Sequence, residues 1–94
     1  MRPTVLHTLF PRGRAEILRL LFTNPRAELY VRELARLAFL SLHTVQQELA
    51  ILTRAGLLVS RSNGYQKFYR ANPKHPLYST LRRLVIKAAA GSRR

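Results

Sequence analysis

"SLHTVQQELAILTRAGLLVSRSNGYQKFYR", Ser41 to Arg70, changes its period halfway along. In the first half Val45, Leu49 and Leu52 fall at i, i+4 and i+7. At about 100° per residue they share one face of a helix, with Leu42 at its edge. Ser41 is a good N-cap, because its hydroxyl can accept from an N–H of the first turn. Gly56 suits the left-handed position that ends a helix. The second half alternates instead. "LLVSR" and "YQKFYRA" read as strands meeting at Asn63-Gly64, a strong two-residue hairpin signal. The stretch therefore predicts a helix over 41–56 and a hairpin over 57–71. With a two-residue turn, Leu58, Ser60, Lys67 and Tyr69 share one face of the hairpin, and Val59, Arg61, Gln66 and Phe68 the other. Tyr69 with Leu58 is expected to anchor the hairpin on the core, leaving Tyr65 exposed at the tip.

Upstream, "RELARLAFL" repeats Leu34, Leu37, Ala38 and Leu40 at helical spacing, after a short β-prone "ELYV". Before that, "RAEILRLLFTNP" carries Ile17, Leu18, Leu20, Leu21 and Phe22 on a broad apolar stripe, and Pro25 stops it. Val5, Leu6, Leu9 and Phe10 form an apolar patch in an N-terminal segment over 1–13. Downstream, "NPKHP" is a two-proline break. A last helix is expected over 76–90. It has Leu77, Leu81, Leu84, Val85 and Ala88 in register, with Arg82, Arg83 and Lys87 off the stripe. The order is helix, short strand, helix, turn, helix, hairpin, helix, ending in a small basic tail, "GSRR". At 94 residues and 47% apolar, this is one globular domain, 1–94, mainly α with a small β-hairpin.

Charge narrows the partner. Seventeen basic side chains stand against four acidic ones, a net of +13, and Arg outnumbers Lys fourteen to three. Such an excess favours an anionic partner, nucleic acid or an acidic membrane surface. Arg's planar fork suits phosphates and guanine edges. On the predicted helix, the face opposite the apolar stripe holds His43, Gln47, Ala50 and Arg54, flanked by Thr44, Gln46 and Ile51. Gln can bond adenine through two hydrogen bonds, and Thr can bond base edges or touch a thymine methyl. On these residues alone, a plain solvated face explains the pattern as well.

Other chemistries fit poorly. The chain has no Asp, and Glu16, Glu28, Glu33 and Glu48 form no evident catalytic pair, so an enzyme is not expected. His7, His43 and His75 lie on different elements and Cys is absent. Neither a metal site nor a disulfide is expected, and no cofactor is implied. The absence of Cys fits a reducing cytoplasm. No segment has the length or character of a signal peptide or membrane span.

"YVRELARLAFLSLHTVQQELAILTRAGLLVSRSNGYQKFYRANP" resembles an ArsR-like winged helix-turn-helix domain. The resemblance is carried by "RELA", Ser41, "TVQQELAILTRAGLL" and the hairpin ending in "FYRANP". It spans about residues 14–86, most of the chain. A closer similarity is to winged-helix modules found alone or ahead of small nucleotidyltransferase domains, carried by "RAEILRLLF" and "ANPKHPLYSTLRRLV". The resemblance implies a cytoplasmic, double-stranded-DNA-binding transcriptional regulator, a dimeric repressor. Its helix over 41–56 would enter the major groove, and its hairpin, the wing, would lie on the adjacent backbone or minor groove. The implied DNA contacts are Arg32, Ser41, His43, Thr44, Gln46, Gln47, Arg54, Arg61, Asn63, Gly64, Tyr65 and Lys67. The implied homodimer contact uses Leu6, Leu9, Phe10, Leu77, Leu81, Leu84 and Val85. Metal sensing, known in the family, lacks its Cys pairs or His and acidic clusters here. The alternative is an antitoxin-like module that binds a nucleotidyltransferase or another protein encoded nearby. RNA binding is a third reading.

Overall fold

In the computed structural model, residues 5–24 and 26–91 are described; the expected helix stop at Pro25, residues 1–4 of the N-terminal segment and the end of the basic tail lie outside this set. The elements are α1 (Val5–Leu9), α2 (Arg12–Phe22), β1 (Leu29–Tyr30), α3 (Val31–Ala38), α4 (Leu42–Arg54), β2 (Leu58–Ser62), β3 (Lys67–Ala71) and α5 (Tyr78–Gly91). Together they make a winged helix-turn-helix fold.

Helix α2 is the centre of the molecule. It packs against α1, α3, α4, α5 and β3. Ala15, Ile17, Leu18, Leu21 and Phe22 are therefore buried, while Leu20 packs only partly. Val45, Leu49 and Leu52 press α4 into this core as their spacing predicts. Full burial of one such Leu is worth about 1.5–3 kcal/mol.

The end of α3 differs from expectation. The helix stops at Ala38, and Phe39 turns left-handed (φ 57°, ψ 47°). Leu40 N–H donates to Ala35 O at 3.0 Å, and Phe39 N–H to Arg36 O at 3.4 Å. The same paired closure ends α4, where Leu57 reaches Leu52 and Gly56 reaches Thr53, both at 3.0 Å. Gly56 supplies the left-handed residue there (φ 79°), as its position predicts. The face of α3 that packs on α2 and α4 buries Leu34, Ala35 and Ala38, while Leu37 is exposed.

The hairpin joins a third strand, giving a sheet of order β1-β3-β2, all antiparallel. Its register pairs Ser62 with Lys67 and Ser60 with Tyr69, so the loop has four residues, 63–66, rather than the two expected. Asn63 explains the longer loop. Its side-chain oxygen accepts from Tyr65 N–H at 3.0 Å and Gln66 N–H at 2.9 Å, a local turn that competes with the tight one. Gly64 takes the positive φ, 93°. The shift is two residues, so face membership is kept. Leu58 is buried and Tyr69 packs partly on the core.

Asn72 staples the base of the wing. Its side-chain amide donates to Gly56 O at 2.8 Å and its N–H to Leu57 O at 2.9 Å. The Pro-containing link then turns into α5, which crosses α2 with Val85 and Ala88 buried and the Tyr78 ring 5.9 Å from that of Phe22.

Candidate nucleic-acid interface

The N-terminus of α4 is held in place from two sides. Ser41 Oγ accepts from Thr44 N–H at 3.1 Å and donates to Thr44 Oγ1 at 3.0 Å. Behind the helix, Glu48 accepts from Arg14 Nε at 2.7 Å. Gly13 allows the close approach of α2: a Cβ there would lie 3.1 Å from the Thr44 methyl. Thr44 is thus half-buried and turned toward α2. Ser41 serves as the helix cap. The face that looks outward carries His43, Gln46, Gln47, Ala50 and Arg54, all exposed.

Two adjoining clefts separate this helix pair from the wing. One is lined by Tyr30, Val31 and Arg32 on one side and Tyr65, Gln66 and Lys67 on the other. The next runs between α4 and the sheet, with Gln46, Ala50, Thr53 and Arg54 facing Ser60, Lys67 and Tyr69. Val31 and Lys67 border both, so they form one groove. Among the described residues no carboxylate lines it. Arg32, Gln46, Arg54, Tyr65 and Lys67 meet there although they are up to 35 positions apart in sequence. Tyr65 is 95% exposed at the wing tip. His43 and Gln47 lie on the outer face of α4, outside the two clefts. Asn63 and Gly64 shape the tip itself.

The acids are held elsewhere, which leaves the groove without negative charge. Glu16 is buried and bonds His7 Nε2 at 2.6 Å and Arg19 Nη2 at 2.8 Å. Burial raises its pKa, but Arg19 and His7 outweigh this and hold the carboxyl below its ordinary value. Glu33 accepts from Tyr30 N–H at 3.1 Å at the start of α3. Glu48 is held by Arg14. Glu28 takes Arg61 Nη2 at 3.0 Å and Nε at 3.2 Å, with Arg70 at 3.8 Å. All four glutamate side chains are engaged within the fold. Arg61 is therefore tied to Glu28 on the outer face of the sheet. Sequence spacing gives no hint of this pair, whose members are 33 positions apart.

The expected assembly residues divide. Leu6 and Val85 are fully buried within one copy, and Phe10, Leu81 and Leu84 pack partly on its core. Leu9 and Leu77 are more than half exposed. They are joined by Val5 on α1 and Ile86 on α5, two helices in contact. Among the described residues no group of three His, Cys, Asp or Glu is placed to hold a metal, and no helix is long and apolar enough to cross a membrane.

No family model and no curated protein matches the chain. Solved structures do. The transcriptional repressor BigR from Xylella fastidiosa is 25% identical, with a TM-score of 0.73 over 93% of this chain and 82% of that one. Reduced HlyU from Vibrio cholerae N16961 is 29% identical, with a TM-score of 0.68 over 88% of this chain and 84% of that one. Most of each neighbour's length is thus spanned by the chain.

Proposed function

We propose that this chain, an ArsR-like winged helix-turn-helix regulator, is a dimeric, sequence-specific repressor acting on double-stranded DNA in the cytoplasm. One observation carries the reading: a continuous groove between the recognition helix and the wing, lined by amides and cations and by no carboxylate. In this reading α4 enters the major groove, where Gln46, Gln47 and His43 meet base edges. Arg32, Arg54 and Lys67 meet phosphates, which fix register but carry no sequence information. The wing tip, with Tyr65, lies on the neighbouring backbone or minor groove. BigR's role as a repressor supports repression by occupying a promoter. Two copies joined through the apolar surface of α1 and α5 would present two α4 helices to successive major grooves, about 34 Å apart.

Selection of bound duplexes from a random pool tests the reading. A palindromic consensus with half-sites about one helical turn apart is expected. On that site Gln47→Ala should cost about 1–3 kcal/mol and relax the base preference at one position of each half-site. Random-sequence affinity should stay nearly unchanged. A pool that shows no enrichment defeats the assignment.

A further inference from the structure

Arg61 sits where a wing is expected to touch DNA, yet its guanidinium is already held. Its two hydrogen bonds to Glu28 make a planar fork, the geometry that distinguishes Arg from Lys. Its Cζ lies 5.0 Å from the centre of the Phe68 ring. Phe68 in turn meets Tyr30 edge-on, at 5.8 Å and 85°. The register places Tyr30, Phe68 and Arg61 in one row across all three strands. Glu28 lies just before β1, Arg61 on β2, and β3 runs between them. The pair therefore reaches over the central strand and ties the outer strand of the wing to the segment that leads directly into α3.

We propose that Glu28 and Arg61 form a strap that fixes the wing relative to the helix-turn-helix, making them positioning residues for operator choice rather than phosphate contacts. The inference rests on the DNA-binding reading above and deepens it. Its logic lies in a sign. Glu28 is an acid on a strongly basic protein, so by charge alone its removal should strengthen binding to every DNA. If it orders the wing, its removal frees Arg61 and loosens the hairpin. The ordering must then occur on binding, where only the cognate site repays it.

Glu28→Gln and Arg61→Lys separate the two roles. Each is measured on the selected site and on random duplex, with a thermal melt to show that the fold persists. Glu28→Gln should leave random-duplex affinity equal or higher while lowering the specific-to-random ratio about threefold, the scale of a solvent-exposed ion pair. Arg61→Lys keeps the charge but loses the fork, and should lower the ratio similarly. The reversed pair, Glu28→Arg with Arg61→Glu, should recover part of the loss. Amide exchange across residues 58–71 of the free protein gives a readout that needs no DNA. It should quicken severalfold in both single variants. If Glu28→Gln strengthens specific and random binding alike, or Arg61→Lys matches the wild type, the strap is wrong. If the wild type shows no sequence preference, the repressor reading fails, and the exchange rates still decide whether the strap holds the wing.

Discussion

Among the described residues three cations line the groove, Arg32, Arg54 and Lys67, and in the proposed reading their number would set the salt dependence of DNA binding. The proposed dimer would bring six to the duplex. Each phosphate neutralised contributes about −0.9 to the log–log slope, so the slope should be about −5. Raising salt from about 50 to about 200 mM should then weaken binding by roughly 10³. Arg61 adds little because two hydrogen bonds already tie it to Glu28. Lys67→Ala removes two phosphate contacts from the dimer and should bring the slope to about −3.6, on specific and random duplexes alike. Fluorescence anisotropy of a labelled duplex at four or five salt concentrations measures this directly. A wild-type slope shallower than about −2 would leave the groove without enough phosphate contacts. An unchanged slope for Lys67→Ala would show that the two clefts are not where the backbone runs.

The dimer reading predicts that Leu9→Glu changes folding stability by only about 0.5 kcal/mol, since Leu9 is exposed in one copy. Light scattering should nevertheless show the variant as a monomer, and a wild type already monomeric at micromolar concentration would refute the contact. Glu16 is held below its ordinary pKa of 4.5 in the folded state. Its contribution is therefore fully present above the unfolded value and is lost as pH falls through the folded one. Glu16→Gln should cost about 1–3 kcal/mol at neutral pH and flatten the acid side of the stability curve. An unchanged acid limb in urea melts would show that this cluster does not govern it. Phe39→Gly relieves a left-handed residue, worth about 1–2 kcal/mol, against about 0.4–1 kcal/mol of added freedom in the unfolded chain. A higher melting temperature is expected. A lower one would mean that the Phe39 side chain makes a stabilising contact.

Legibility in the sequence follows the range of each interaction. Ser41, the Val45–Leu49–Leu52 stripe and Gly56 act within one helix, so spacing alone locates α4 and the face it presents. The wing faces also follow from sequence, although Asn63 lengthens the loop, because a two-residue shift preserves parity. Arg14–Glu48 and Glu28–Arg61 are invisible at that level. Their members are 34 and 33 positions apart, and only the packing of α2 on α4 and of β1 on β3 brings them together. Thr44 shows the same limit: its place on the helix marks it as near the outward polar face, while the close approach of Gly13 turns it toward α2. Leu6 and Val85, expected at an assembly contact, are buried within one copy for a related reason. A short chain folds its terminal helices over its own central helix, and that consumes apolar surface that otherwise looks free.

The placement of the four acids ties these observations together. A chain of this charge gains no solubility from hiding its acids; each one buried or tied down leaves the surface more one-sided. Glu16 fastens α1 and α2, Glu48 fastens α4 to α2, Glu33 starts α3, and Glu28 holds the wing. Each carboxylate thus anchors an element that borders or supports the groove, and none faces into it. The same four side chains that position the helix pair and the hairpin also leave the groove free of negative charge. In this way the fold and its electrostatic field are set by the same contacts.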